Sequence, residues 1–133
     1  MRKTILTIAV VFAALTFLAA CKPVAQFELT ETDSGRTIEI NKDATVTIKL
    51  SSNPSTGYAW TVAAVDGTIL QQQGDKIYDQ GNTAPNVVGA GGTETFTFKG
   101  LAAGQSALQL VYSRSWETGV PPIQTFEITI DVK

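Results

Sequence analysis

Over most of its length this chain repeats with a period of two. In residues 44–50, Val46, Ile48 and Leu50 share one face while Thr45, Thr47 and Lys49 share the other. Residues 58–65 place Tyr58, Trp60, Val62 and Ala64 on one side, and residues 93–99 set Phe96 and Phe98 against Thr95, Thr97 and Lys99. Residues 107–113 align Leu108, Leu110 and Tyr112, and residues 124–132 align Phe126, Ile128, Ile130 and Val132 against Thr125, Glu127, Thr129 and Asp131. Successive side chains of a strand point to opposite faces, so this alternation specifies strands with one buried and one wet face. Such strands argue for antiparallel sheets. Shorter candidates lie at 69–73 and 76–78, around Gly74, and turns are expected at Asp66-Gly67 and Ala103-Gly104. Seven or eight short strands with frequent turns predict an all-β, antiparallel sandwich, a small barrel being the alternative. Trp60, a large aromatic on an apolar face, is expected in the core.

The N-terminus obeys a different rule. Arg2 and Lys3 precede the uncharged, apolar residues 4–20, and the small residues Ala19 and Ala20 precede Cys21, the chain's single cysteine. A basic start, an apolar core and a small-residue cleavage site describe an export signal. The run Leu18-Ala19-Ala20-Cys21 resembles the bacterial lipobox. That resemblance implies cleavage after residue 20, acylation of Cys21 and a bacterial envelope location. Lys22 next to the cysteine favours the outer membrane, facing the periplasm. The alternative is an uncleaved membrane helix, since the apolar stretch is close to the ~17 residues a span requires. The expected division is therefore a signal at 1–20, a lipidated N-terminus and tether at 21–36, and one domain at 37–133. A first strand could begin near residues 27–30 within the tether.

Composition excludes several classes of function. The chain has no histidine. No Ser-His or Cys-His catalytic pair can form, nor any imidazole metal site. If Cys21 carries lipid, the domain has no thiol and no disulfide, and its core must hold the fold unaided. The twelve acidic residues are scattered among strands and turns. Net charge is −2, and more negative once Arg2 and Lys3 leave with the signal. No basic stripe offers a nucleic-acid surface. Residues 89–92 are glycine-rich but lack a following Gly-Lys-Ser/Thr, so they are no phosphate loop. No enzyme, no cofactor and no metal are expected, and a monomer is.

Three loop sequences between the strands stand out: Asn53-Pro54-Ser55-Thr56-Gly57-Tyr58, Gly89-Ala90-Gly91-Gly92 and Arg114-Ser115-Trp116-Glu117. Each has a purely structural reading. The first is turn chemistry, with Pro fixing φ and Gly permitting positive φ. The second is a flexible connection at the end of the longest irregular stretch, residues 79–92. In the third, Trp116 could fold back onto the end of the sandwich, yet a Trp beside an Arg in a polar loop is also typical of interface hot spots. Taken together and in this order, they resemble the chagasin family of cysteine-protease inhibitors. That family carries Asn-Pro-Thr-Thr-Gly-Tyr, Gly-x-Gly-Gly before a Phe-rich strand, and Arg-Pro-Trp. Here Ser55 replaces the first Thr, and Ser115 replaces the proline.

The resemblance, which covers roughly residues 37–132, implies an immunoglobulin-like sandwich that presents three loops from one end. It implies reversible, competitive inhibition of papain-like cysteine proteases without catalysis. Asn53, Pro54, Ser55, Thr56, Gly57 and Tyr58 would enter the catalytic cleft, with Thr56 beside the catalytic cysteine. Gly89, Ala90, Gly91 and Gly92 would pair their main chain with the enzyme, and Arg114, Ser115 and Trp116 would supply side-chain contacts. Ser115 should loosen the third loop. That departure keeps a second function open: a non-inhibitory envelope lipoprotein using the same sandwich as a protein-binding module.

Overall fold

The computed structural model describes residues 23–81 and 89–133. The proposed signal and Cys21 therefore lie outside the described residues. Nine strands are present among them: β1 Gln26–Leu29, β2 Thr37–Ile40, β3 Thr45–Ser52, β4 Tyr58–Ala64, β5 Leu70–Gln72, β6 Ile77–Asp79, β7 Gly92–Gly100, β8 Gly104–Arg114 and β9 Gln124–Val132. They form two sheets. The first runs β1-β3-β7-β5, with β6 also on β7, and the second runs β2-β9-β8-β4. The protein is an all-β sandwich, as the alternation predicts, of the immunoglobulin-like kind that the family resemblance implies, and its inward faces meet in a single core.

Most of that core is selected by the period-two pattern, and Leu29, Ile40 and Leu70 join it from short strands where the pattern names no inward residue. Val46, Ile48, Leu50, Phe96 and Phe98 come from the first sheet, and Leu108, Leu110, Phe126, Ile128, Ile130 and Val132 from the second. All are buried, as is Trp60, which is 1% exposed. Trp60 stacks on Tyr112 with ring centroids 5.1 Å apart. Burying a large apolar side chain is worth about 1.5–3 kcal/mol, so these residues supply most of the driving force.

Three expectations are corrected. The sheets are mixed rather than wholly antiparallel: β1 pairs parallel with β3, and β2 pairs parallel with β9. These edge strands are joined to their partners by crossings between the layers, not by hairpins, so the hairpin argument does not reach them. The sandwich begins at Gln26, not residue 37, because Leu29 in β1 is buried in the core. The strand anticipated near residues 27–30 is thus an integral edge, and the tether is shorter. Finally, Ala64 is exposed, although it is in phase with Trp60 and Val62. A bulge between Val62 and Ala64 shifts the register by one residue and turns Ala64 outward.

The short strands β5 and β6 act as one broken edge. β6 pairs with Thr93–Thr95 of β7 and β5 with Phe98–Gly100, and Gly74, at a φ of 70°, lies in the connection between them. No helix among the described residues is long and apolar enough to cross a membrane.

Candidate functional site

β3 runs toward one pole of the sandwich and β4 leaves it, while β7 starts there and β8 ends there. The three loops therefore emerge side by side. The first is held from within. Pro54–Thr56 form one 3-10 turn with Pro54 at its start, where a missing N–H costs nothing. Gly57 ends it at a φ of 81°, the left-handed conformation anticipated for it. The Thr56 hydroxyl donates to the Asn53 carbonyl at 2.6 Å, and the Ser55 hydroxyl donates to Asn53 Oδ1 at 2.6 Å. Pro54, Ser55 and Thr56 all project into solvent.

Cross-links join this loop to the other two. Asn53 Nδ2 donates to the Gly89 carbonyl at 3.1 Å, which fixes the start of the second loop against the first. Arg114 is the bridge to the third. Its Nε donates to the Thr56 carbonyl at 3.0 Å, one terminal nitrogen pairs with Glu117 Oε1 at 3.1 Å, and the guanidinium lies 4.3 Å from the centre of the Tyr58 ring. Arg114 is the last residue of β8, opposite Tyr58, rather than a loop residue. Strand geometry therefore aims it across the first loop.

Trp116 follows in a tight turn closed by the Glu117 amide on the Arg114 carbonyl at 3.2 Å. Ser115 occupies the second position of that turn, where proline is favoured. Trp116 does not fold back into the core. It is 66% exposed, and its ring edge rests on Gly57, where a built Cβ would stand 2.1 Å from the ring. The guanidinium of Arg114 is 6.0 Å from the Trp116 ring centre. Among the described residues this indole, supported by an arginine and a bare glycine, presents an exposed apolar surface.

Gly89 in the second loop has a φ of 82°, and Gly91 and Gly92 are glycine for steric reasons. A Cβ on Gly92 would stand 2.3 Å from the Asp79 carbonyl and 2.7 Å from the Tyr78 hydroxyl, and one on Gly91 would press on the Ser52 carbonyl at 3.3 Å. Gly92 is already the first residue of β7, paired with Ser52 of β3. β3 accordingly continues two residues beyond the alternating segment 44–50.

Beneath the loops lie groups that the loop motifs do not mention. The Tyr112 hydroxyl accepts from the Asn53 amide at 2.8 Å, and Trp60 Nε1 donates to the Ser51 carbonyl at 2.9 Å. Glu31, in the short 3-10 turn Glu31–Asp33, accepts from the Ser51 amide where β1 no longer flanks β3. Partial burial pushes the Glu31 carboxyl up, but hydrogen bonds from Ser51 and from its own backbone amide together outweigh it and hold the group below its ordinary 4.5. Glu94, 2% exposed, accepts from Ser52, Trp60 and Lys76. It is in phase with Phe96 and Phe98, so alternation alone could have placed it inside. Among the described residues no cluster of acidic residues could hold a metal ion.

The geometry is a rim of three loops joined to one another by side-chain hydrogen bonds. Comparison with known proteins agrees in kind. The model of the chagasin family of peptidase inhibitors matches residues 39–130. Amoebiasin-1 of Entamoeba histolytica is 33% identical over 105 residues, covering 79% of this chain and 98% of the relative. Chagasin of Trypanosoma cruzi is 32% identical over 93 residues, covering 67% and 82%. Among solved structures, the cysteine protease inhibitor EhICP2 from Entamoeba histolytica superposes with a TM-score of 0.75 at 26% identity, covering 84% of this chain and 99% of that one.

Proposed function

The chain belongs to the chagasin family of peptidase inhibitors, and from that premise we propose that its three-loop pole plugs the catalytic cleft of papain-like cysteine proteases, reversibly and competitively. The observation that carries the reading is the cross-linking of the three loops into one rim by Asn53, Arg114 and Trp116. Loops already held in place lose less entropy on binding, so more of the contact energy appears as affinity.

The rim also explains why a protease would be blocked and not fed. A substrate needs an extended backbone whose carbonyl can reach the nucleophile and the oxyanion donors. Residues 54–56 are wound in a 3-10 turn, and Gly57 bends the chain away. Thr56 can approach the catalytic sulfur while no peptide bond is presented for attack. The second loop, free of side chains at Gly89, Gly91 and Gly92, lets its main chain pair with the enzyme in the manner of an added strand. Trp116, backed by Arg114, then covers the enzyme surface beside the cleft.

Titration of residues 22–133 against papain with a fluorogenic peptide tests this reading. Competitive inhibition that is reversed on dilution is the expected result, with the inhibitor recovered intact by mass spectrometry. Absence of inhibition, or rapid cleavage within residues 53–58, overturns it. Ser115 in place of the family proline favours a second reading, a binding module of the envelope without inhibitory action. The same titration separates the two.

The cell envelope is the proposed setting. Supporting it are the basic, apolar and small-residue order of residues 1–20 and the placement of Cys21. In this reading the mature protein starts at an acylated Cys21 on the outer membrane and faces the periplasm. Several acyl chains, at about 0.8 kcal/mol per buried CH2, hold such an anchor firmly.

A further inference from the structure

The first loop connects two strands that never pair. β3 belongs to one sheet and β4 to the other, so no ladder of backbone hydrogen bonds holds the two stems together. Glu94 stands in that gap. Its Oε1 accepts from the Ser52 hydroxyl at 2.7 Å, on the stem entering the loop. Its Oε2 accepts from the Trp60 amide at 3.1 Å, on the stem leaving it. Lys76, just before β6, donates from Nζ to the same Oε2 at 2.8 Å and to the Trp60 carbonyl at 2.6 Å.

β4 is an edge strand, and the amide and carbonyl of Trp60 both face away from its partner β8. The carboxylate takes the amide and the ammonium takes the carbonyl. Together the ion pair does for Trp60 what a neighbouring strand would do. Glu94 lies two residues after Gly92, so the stem of the second loop carries the group that fixes the stems of the first. The Glu94 side chain is 3% exposed and that of Lys76 33%. A buried ion pair is poor evidence of stabilisation by itself, since desolvation offsets much of the attraction. Its better-attested use is to select one arrangement over others.

We infer that Glu94, held by Lys76, is the positioning residue of the inhibitory rim: it sets the spacing of the first loop's stems and couples them to the second loop. The inference rests on the inhibitory reading of the loops. Nothing in it requires Glu94 to touch a protease.

The test compares the wild type, Glu94→Gln, Lys76→Met and Leu70→Ala. Leu70 is buried at the other end of β7, opposite Gly100, and controls for loss of stability alone. Each variant is assayed well below its own unfolding temperature for inhibition of papain and for amide hydrogen exchange by mass spectrometry. In Glu94→Gln, peptides covering residues 53–58 and 89–92 should exchange at least tenfold faster, and inhibition should weaken at least tenfold. Leu70→Ala should stay within threefold of wild type in both, even if it unfolds at a lower temperature. If Glu94→Gln does not fold, Lys76→Met, which keeps the carboxylate but frees the Trp60 carbonyl, should show the same pattern. Wild-type exchange and wild-type inhibition in a folded Glu94→Gln or Lys76→Met would overturn the inference, as would equal weakening in Leu70→Ala. If the wild type inhibits nothing but loop exchange still rises in Glu94→Gln, the inhibitory reading fails and the positioning role stands.

Discussion

Gly57 and Trp116 are two halves of one device. The indole can lie across the first loop only because residue 57 has no side chain, and residue 57 can turn the chain only because positive φ is open to glycine. Gly57→Ala should therefore act twice. Left-handed backbone costs a non-glycine residue roughly 1–2 kcal/mol, and the new methyl group displaces the ring. The expected result is a thermal midpoint lowered by several degrees and papain inhibition weakened more than tenfold. Trp116→Ala should divide these effects. Removing a hot-spot side chain costs about 2 kcal/mol of binding or more, whereas a residue 66% exposed adds little to the core, so the thermal midpoint should hardly move. A sharp fall in stability would show that the indole packs against the sandwich in solution. Within the first loop, Thr56→Arg should abolish tight inhibition because residue 56 stands at the exposed tip, while Ser55→Thr should leave it within a few-fold.

The turn after β8 holds one of the two departures, Ser55 being the other, from the motifs that carry the family resemblance. Ser115 sits where proline would preset φ, yet the turn is closed by the Glu117 amide and braced by the Arg114–Glu117 pair. Ser115→Pro should raise stability by roughly 0.4–1 kcal/mol through the unfolded state and tighten inhibition, read as a slower dissociation rate. Two other turns depend on carboxylates. Asp33 accepts from the Thr30 amide and pairs with Arg36, and Asp66 accepts from the hydroxyl and amide of Thr68. These contacts hold both carboxyls below their ordinary value of 3.8. A carboxyl whose folded value is depressed stabilises the fold above its unfolded value and loses that contribution as pH falls through the folded one. The thermal midpoint should therefore be flat near neutrality and fall below about pH 4. Asp33→Asn and Asp66→Asn should each flatten that acid limb; an unchanged limb in the double variant would refute the assignment.

How much of these elements can be read in advance follows from which interactions are local. Alternation is local, and it marks β3, β7, β8 and β9 and most core residues correctly, though not Leu29, Ile40 or Leu70 on the short strands. The turn residues Pro54 and Gly57 announce their own geometry. Parallel pairing of β1 with β3 and of β2 with β9 is not local: Gln26 meets Thr45 and Thr37 meets Thr129, and four residues such as Gln26–Leu29 carry too little pattern to name the partner. The bulge that turns Ala64 outward leaves no trace in composition. Glu94 is the instructive case. Its phase places it inside, but Ser52, Trp60 and Lys76, which make burial of its charge tolerable, are 42, 34 and 18 residues away. The convergence of the three loops is legible only through family resemblance, because no spacing rule relates residues 56, 89 and 114.

Taken as a body, the sandwich has two poles, and one of them carries all three loops. Residues 22–133 should form a soluble, monomeric, all-β domain without disulfides, and a helix-dominated circular dichroism spectrum would refute that. Intact mass of membrane-extracted protein should show loss of residues 1–20 and added lipid. A Cys21→Ser variant that is processed and retained like wild type would contradict acylation. The direction of β1 then decides how an anchored molecule faces. Because β1 runs parallel to β3, Gln26 lies beside Thr45, and the Ala25 carbonyl is bonded to the Thr45 amide, at the pole away from the loops. An eight-residue strand separates the two poles by roughly 25 Å. An antiparallel β1 would have brought the lipid out among the loops and pressed the rim into the headgroups. Run as it is, with four residues between Cys21 and β1, it would leave a molecule acylated at Cys21 standing on its base like a mooring post, its loop pole turned outward to whatever enzyme drifts past.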